Sequence, residues 1–237
     1  MCGRFTLAWD AAGLLRSYVA TSDDRAADWE PVYSIAPRTR APVVREFVDD
    51  HGDRHRSLEL ARWGLRPSWA KDKGPRPINA RLETVSTNGM FRGSFSSARA
   101  VIPMTGYFEW AQAPDGGKDP HFIHHPDGEL LHAAGLTAAR RSEDGEGWDV
   151  SFTVITREAR DAGGEVHDRM PAFLAGDMLE EWLAPGKLTA DQKDPLLAQL
   201  EDVSTTMAGQ LVTRPVDRQV NNVRTLDRHD PGLIEGV

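Results

Sequence analysis

The amino-acid sequence predicts a β-rich α+β fold built as a single domain. Strand-like apolar runs dominate the chain, and they do not alternate regularly with helices as they would in a parallel α/β fold. Neither an internal repeat nor a convincing linker divides the 237 residues. A chain of this length can bury a substantial core without disulfides or metals.

The order of the elements follows from local patterns. The first helix begins after Asp10, which can cap it, and its apolar face is formed by Leu14, Leu15, Tyr18 and Val19. Strands are predicted over residues 42–48, 58–63, 101–110, 121–125, 130–136, 150–156 and 212–216. Two further helices are predicted over residues 177–183 and 190–200. The Asp144-Gly145 pair predicts an exposed hairpin loop over residues 141–149.

The charge of the chain is unevenly distributed. There are 28 Lys and Arg against 36 Asp and Glu, and this net charge of −8 taken alone argues against a nucleic-acid partner. Residues 54–92, however, hold nine basic and three acidic side chains, a balance of +6 that leaves −14 for the rest. Trp63, Trp69 and Phe91 lie among these cations, a mixture that suits single-stranded nucleic acid. The alternative is a solvated loop whose tryptophans pack inward.

No run of eighteen apolar residues predicts a membrane span, and no secretory signal peptide is visible. The single cysteine fits a reducing, cytoplasmic compartment. Its position is more informative, because Cys2 directly follows the initiator methionine. Small second residues generally allow removal of that methionine, so the mature chain is expected to begin at Cys2.

A terminal cysteine carries an amine and a thiol on adjacent carbons, with reference pKa values of about 7.7–8.0 and about 8.5. Such a pair condenses with an aldehyde to an imine, and the thiol then closes a five-membered thiazolidine ring. The same terminus could act as an N-terminal nucleophile with its own amine as the base. The structural alternative is a small residue at a frayed terminus.

Four segments combine polar residues with apolar or Pro-Gly surroundings: Cys2–Phe5, Asn79–Thr84, Gly106–Trp110 and His167–Pro171. In the third segment, strand alternation directs Glu109 to the same side as Tyr107 and away from both neighbouring aromatics. A carboxylate among aromatics tends to have a raised pKa, which suits a general acid or base near pH 7. A solvent-facing glutamate on a half-exposed strand is the commoner alternative.

The other polar residues of these segments also have two interpretations each. His167 can exchange a proton near neutrality, or it can bond to a loop backbone. Asn79 can orient a substrate or the terminal amine through its amide, or it can occupy a turn after Pro77. Arg4 and Arg81 can hold a phosphate bidentately, or they can pair with a nearby carboxylate.

The sequence predicts neither a metal site nor a cofactor. Four histidines lie close together in the chain, but no HExxH-type spacing accompanies them: His121, His124, His125 and His132. No glycine-rich phosphate loop is visible either, so nucleotide hydrolysis is not expected.

In their order along the chain, the four segments resemble the SRAP family, named SOS response-associated peptidase. Its members typically start Met-Cys-Gly-Arg-Phe and carry Asn-Ala-Arg-x-Glu-Thr, Gly-Phe/Tyr-Tyr/Phe-Glu-Trp and His-x-Arg-Met-Pro. Each motif alone is weak, whereas the ordered set is highly specific. The resemblance implies one SRAP-like domain over residues 1–223, with barrel-like antiparallel sheets and peripheral helices. Residues 224–237 match little and are expected to form a disordered tail.

The resemblance also implies a function. The family binds single-stranded DNA and recognises abasic sites, and its terminal cysteine links to the open-ring sugar aldehyde through a thiazolidine. Carried over by motif, Cys2 is the nucleophile and Asn79 positions the terminal amine or the sugar. Glu109 is the general acid/base, and His167 assists opening of the sugar ring and release of the adduct.

For DNA contacts, the resemblance implies that Arg4 and Arg81 bind phosphates flanking the lesion and that Trp63 and Trp69 contact nearby bases. A monomer without a cofactor is expected, in the cytoplasm and at the nucleoid after damage. The family name further implies a peptidase activity, plausibly removal of the residue before the terminal cysteine.

Two other functions stay open. One is a cysteine peptidase that uses Cys2 together with Glu109 and His167. The other is a non-covalent binder of single-stranded DNA, in which Cys2 is incidental.

Overall fold

The structure is a computed structural model that describes residues 2–22, 26–71, 73–142 and 147–237. Met1 and the centre of the predicted hairpin loop over residues 141–149 lie outside these ranges. The strands are β1 (Phe5–Leu7), β2 (Thr21–Ser22), β3 (Val32–Ile35), β4 (Arg40–Val48), β5 (Arg54–Trp63), β6 (Asn79–Arg81), β7 (Arg99–Met104), β8 (Gly106–Gln112), β9 (Lys118–His124), β10 (Leu131–Arg141), β11 (Trp148–Glu158), β12 (Arg169–Pro171), β13 (Phe173–Leu174) and β14 (Val212–Pro215). The helices are α1 (Ala11–Tyr18), α2 (Arg92–Ser97), α3 (Asp161–Gly164), α4 (Asp177–Leu183) and α5 (Ala190–Ala208).

Five strands close a barrel in the order β11, β10, β7, β4 and β5, with β5 returning to β11. The four pairs within this order are antiparallel. The closing pair is parallel, with Arg62 opposite Ser151 and Trp63 opposite Phe152. The β-rich, barrel-like prediction is therefore confirmed, and the parallel seam is a feature that the sequence pattern did not predict.

The second sheet is antiparallel, in the order β14, β9, β8, β1 and β3. The predicted strand over residues 101–110 divides between the two sheets at Thr105. The Thr105 amide donates to the carbonyl oxygen of Thr6 at 2.8 Å, and its hydroxyl accepts from the Ala8 amide at 2.8 Å. These bonds hold the chain at the crossover, so β7 stays in the barrel while β8 pairs with β1.

The barrel core is aromatic near its seam. The Trp63 ring lies 6.1 Å from the Phe152 ring in parallel orientation and 5.1 Å from the Phe5 ring edge to face. Its indole nitrogen donates to the carbonyl oxygen of Ile78 at 2.9 Å. With 0% of its surface exposed, Trp63 cannot stack on a base. The predicted DNA contact of Trp63 is therefore wrong, and the residue belongs to the core.

The helices largely follow the predicted bounds. Asp10 caps α1, because its carboxylate accepts from the Gly13 amide at 2.7 Å. Val19 lies beyond the end of α1 with a left-handed φ of 52° and is exposed, so it does not belong to the apolar face. Helix α4 matches residues 177–183, and α5 extends past the predicted end to Ala208. In the described part of the chain, no helix has the length and apolarity to cross a membrane.

The C-terminal segment is ordered, so the expectation of a disordered tail over residues 224–237 is wrong. Asp230 caps a short 3-10 helix over Pro231–Ile234 by accepting from the Gly232 amide at 2.8 Å. Leu233 is buried in a second, smaller core, whose other buried members are Phe108, Phe122, Val216 and Val220. The tail thus covers the outer face of the second sheet.

Because Leu233 fills this small core, we expect Leu233→Ala to lower the free energy of unfolding by about 2–5 kcal/mol. Urea denaturation measures the change. Val237→Ala is the matched control, since Val237 is exposed in the same segment. Equal stability of the two variants would contradict the packing of the tail.

Candidate active site

Strand β11 brings two of the four segments together. Strand β6 pairs with it in parallel, with Asn79 opposite Val154 and Arg81 opposite Thr156. Strand β12 pairs with it antiparallel, with Arg169 opposite Glu158. The segments around Asn79 and His167 therefore meet near the same end of β11.

The other two segments meet in the second sheet. Phe5 of β1 lies opposite Tyr107 of β8, and the Phe108 amide donates to the carbonyl oxygen of Arg4 at 2.9 Å. This pairing fixes the N-terminal segment beside the strand that carries Glu109.

Cys2 is fully buried at the junction of these segments. The Asn79 side chain donates from Nδ2 to the carbonyl oxygen of Cys2 at 2.9 Å. Burial raises the pKa of the Cys2 thiol well above its usual range, and the negative charge of Glu109 adds to the rise. The Oδ1 atom of Asn79 is also buried and has no hydrogen-bond partner among the described residues. The frayed-terminus alternative is therefore wrong.

Glu109 is only 2% exposed, so the solvent-facing alternative is wrong as well. Alternation along β8 separates it from Phe108 and Trp110, which contribute to the second core. Burial raises the pKa of Glu109 to about 7, and the charge of Asp168 also raises it. The carboxyl group can therefore give or take a proton near neutrality.

His167 lies in the loop after α3, where its amide donates to the carbonyl oxygen of Gly163 at 3.1 Å. Its Nδ1 atom is 2.7 Å from a carboxylate oxygen of Asp168 and 3.0 Å from the Arg169 amide nitrogen. Partial burial lowers the pKa of His167 below its usual value, so the imidazole is neutral near pH 7.

An ion pair that the sequence reasoning missed joins two of the motifs. Arg169 contacts Glu83 through both terminal nitrogens, at 2.5 and 3.0 Å, and also donates to the carbonyl oxygen of Thr156 at 2.6 Å. The pair locks the end of β6 to β12 across β11. The sequence shows a glutamate in one motif and an arginine in the other, but it does not show that these two side chains are in contact.

The two arginines with predicted phosphate contacts differ in accessibility. Arg4 donates from Nη1 to the Ser34 hydroxyl at 2.9 Å and to the carbonyl oxygen of Val220 at 3.0 Å. Only 7% of Arg4 is exposed, so it primarily anchors the N-terminal segment and leaves little surface for a phosphate. Arg81 is exposed and follows Asn79 by two residues, which keeps it available for a phosphate.

Trp69 is 65% exposed and lines a cavity of about 370 Å³ together with Met90 and Arg92. Arg92 also lines a neighbouring cavity of about 750 Å³, to which Lys187 and Lys193 contribute. We call these two cavities the basic groove. Its lining consists of Pro67, Trp69, Ser86, Thr87, Gly89, Met90, Arg92, Gly93, Ser94, Ser96, Ser97, Lys187 and Lys193, which include four aromatic or cationic side chains and no carboxylate.

One group of the described residues could offer metal ligands. His125, Asp127 and Glu129 each present one ligand atom, and these atoms lie within 4.8 Å of one another. Both carboxylates are exposed, and the group occupies the turn between β9 and β10. None of the four segments around Cys2 contributes to it.

Residues 1–223 match the family model described as SOS response associated peptidase (SRAP). The abasic site processing protein YoaM of Bacillus subtilis is 32% identical over 96% of this chain and 98% of its own length. YedK of Escherichia coli, also named an abasic site processing protein, is 32% identical over 94% and 96%. A crystal structure of a protein from Bacteroides thetaiotaomicron has a TM-score of 0.79 and 21% identity over 100% of both chains, which supports the fold.

The raised pKa of Glu109 gives a pH-dependent stability. An unfolded glutamate has a pKa of about 4.3, so ionising the buried carboxyl destabilises the fold progressively as pH rises from there towards about 7. We expect Glu109→Gln to gain on the order of 1–3 kcal/mol relative to the wild type between about pH 5 and about pH 8.

Urea denaturation at the two pH values measures this gain. Glu129→Gln is the matched control, because the Glu129 side chain is exposed. A Glu109→Gln difference that stayed constant with pH would show that the buried carboxyl titrates normally.

Proposed function

This chain belongs to the SOS response-associated peptidase family, and we propose that it recognises abasic sites in single-stranded DNA and links to them covalently through Cys2. The observation that carries the proposal is the buried contact of Cys2 with Asn79 beside Glu109. The relatives named abasic site processing proteins support the same substrate.

The proposed reaction starts when removal of Met1 frees the amine of Cys2. The amine adds to the aldehyde carbon of the open-ring sugar, forming a carbinolamine. Protonated Glu109 then transfers its proton to the departing hydroxyl, which leaves as water, and an iminium forms. A pKa of about 7 suits this step, because a sizeable fraction of the carboxyl groups is protonated near neutrality.

Ring closure follows on the same carbon. The Cys2 sulfur adds to the iminium carbon, the π pair moves to nitrogen, and the thiol proton passes to the Glu109 carboxylate. The carboxyl group is thereby reprotonated, and the product is a neutral thiazolidine. Glu109 thus serves first as the acid and then as the base, so the proton that it gives up in the first step is regained in the second.

Asn79 and His167 have supporting roles in this proposal. Asn79 holds the Cys2 carbonyl through Nδ2, while its unpaired Oδ1 can accept a hydrogen bond from the freed amine. Neutral His167 exchanges a proton with the sugar hydroxyl as the furanose ring opens. The same exchange run backwards would assist release of the adduct.

The basic groove suits a single strand better than a duplex. The exposed ring of Trp69 can stack on an unpaired base, and Arg92 beside it can contact a phosphate. Exposed Arg81, two residues after Asn79, is a further proposed phosphate contact. Base stacking of this kind requires a base that is free of its partner strand.

We do not propose general peptide hydrolysis. Burial raises the pKa of the Cys2 thiol, whereas activation of a peptidase thiol requires a lowered pKa. Removal of Met1 is the one proteolytic step that the proposal contains. We assign the reaction to a monomer that acts on chromosomal DNA in the cytoplasm during the damage response.

The first test is incubation with a single-stranded oligonucleotide that contains one abasic site. We expect a denaturation-resistant adduct whose intact mass equals protein without Met1 plus DNA minus one water. Cys2→Ser should form no stable adduct, because it has no sulfur to close a thiazolidine and its hydroxyl is a much weaker nucleophile. A stable adduct with Cys2→Ser, or equal affinity for intact and abasic strands with no covalent product, would contradict the proposal.

Trp69→Ala should weaken binding of intact single-stranded DNA roughly 5- to 100-fold, the range expected for one lost stacking contact. Fluorescence anisotropy at fixed salt measures the affinity. Trp148→Ala is the matched control, because Trp148 is also exposed but lies against Arg141 on β10. A loss of the same size in both variants would argue against stacking in the basic groove.

A further inference from the structure

Tyr107 carries a buried hydroxyl group that the reaction above does not use. The residue is 0% exposed, and its Oη atom has no hydrogen-bond partner among the described residues. Its ring packs against Phe173, with ring centroids 6.1 Å apart. A phenylalanine could provide that packing without burying an unpaired polar group. Buried unpaired hydroxyls are costly and uncommon, so this one calls for a physical explanation.

The hydroxyl lies where three of the motif segments converge. Tyr107 shares one face of β8 with Glu109, two residues away, and it pairs directly with Phe5 of the N-terminal segment. The third segment approaches through Gly163: an ideal Cβ atom built on this glycine would lie 2.9 Å from the Tyr107 Oη atom. Gly163 also accepts the amide hydrogen bond of His167. The phenol therefore approaches the loop that holds His167.

The electrostatics agree with this location. Burial raises the pKa of the Tyr107 phenol, and the charges of Cys2 and Glu109 raise it further. Both reacting groups therefore act on the phenol, which stays protonated and available as a donor. Cys2 and Tyr107 are also both fully buried members of the same hydrophobic core. Two further titratable groups come from the loop after α3: Asp168, whose charge raises the pKa of Glu109, and His167, whose Nδ1 atom contacts Asp168.

We propose that Tyr107 is a positioning residue whose hydroxyl donates a hydrogen bond to the Cys2 sulfur as the thiol becomes a thiolate. The proposal rests on the function proposed above and concerns its ring-closing step. In that step the sulfur–carbon bond forms, the iminium π pair moves to nitrogen, and the thiol proton passes to Glu109. Negative charge builds on sulfur in a buried site, and the Tyr107 hydroxyl stabilises it. The hydroxyl keeps its own proton throughout.

Tyr107→Phe tests the proposal, since it removes one oxygen atom and keeps the ring. We expect the pKa of the Cys2 thiol to rise by about one unit and ring closure to slow by roughly tenfold. The rate of iodoacetamide alkylation at each pH between about 7 and about 9 reports the thiolate fraction of Cys2, the single cysteine, and this rate should fall roughly tenfold in Tyr107→Phe. Borohydride trapping of the imine should proceed at the wild-type rate, because the imine forms before sulfur reacts. The melting temperature should stay equal or rise.

Tyr18→Phe is the matched control. Tyr18 is also buried, but its hydroxyl already has a partner in His132 Nδ1 at 2.5 Å. This control should lose thermal stability while the alkylation profile of Cys2 stays unchanged.

Two results would overturn the role of Tyr107. If Tyr107→Phe changed neither the alkylation of Cys2 nor the rate of ring closure, the hydroxyl would contribute only to packing. Equal slowing of imine trapping and ring closure would assign it to an earlier step. Failure of the proposed function is distinguishable, since the wild type would then form no adduct while the alkylation profile still shifted in Tyr107→Phe.

Discussion

The burial of the N-terminal segment is the constraint on which the rest of the structure depends. Chain termini usually fray, yet Cys2 is fully enclosed at the junction of two sheets. Backbone pairing of β1 with β8 and β3 fixes the direction of the segment, and the guanidinium of Arg4 anchors it from inside. The Asn79 amide then holds the Cys2 carbonyl. A reactive group at a chain end acquires the rigidity that catalytic side chains normally obtain from the middle of an element.

The same burial sets the proton chemistry of the site. Loss of water disfavours whichever form is charged, so it raises the pKa of Cys2 and Glu109 and lowers that of His167. Near neutrality Cys2 and His167 are therefore neutral, and a sizeable fraction of Glu109 is protonated, whereas a glutamate in water would be ionised. Neutral groups can remain close together without repulsion, and each can pass a proton when the substrate brings charge into the site. One physical cause thus accounts for the direction of three shifts.

Sequence patterns correctly predicted the features that depend on neighbouring residues, such as helix bounds and the alternation of side chains along a strand. Helix α4 has its predicted bounds, and alternation along β8 correctly directed Glu109 away from Phe108. What failed depends on contacts between distant residues. The apolar run over residues 101–110 gives no sign that Thr105 bonds to Thr6 and splits it between two sheets. The tail became ordered through Leu233, whose neighbours in the second core are remote in sequence. The motif residues at the site were found by resemblance, whereas their partnerships, such as that of Arg169 with Glu83, required the fold.

Charge counted along the sequence is a poor guide to charge on the surface. In the segment with a balance of +6, Arg54 and Arg56 form ion pairs with Glu46 of β4 and Glu180 of α4, and Trp63 is in the core. The groups proposed to contact DNA are Arg81 and the side chains of the basic groove, which lies partly outside that segment. In the proposed reaction, the separation of the exposed basic groove from the buried Cys2 makes the protein selective for abasic sites. The groove can hold any single strand, but the buried Cys2 excludes a nucleotide that carries its base, because a base would need space that the core occupies. Recognition of the lesion and access to the reactive sulfur are then the same event.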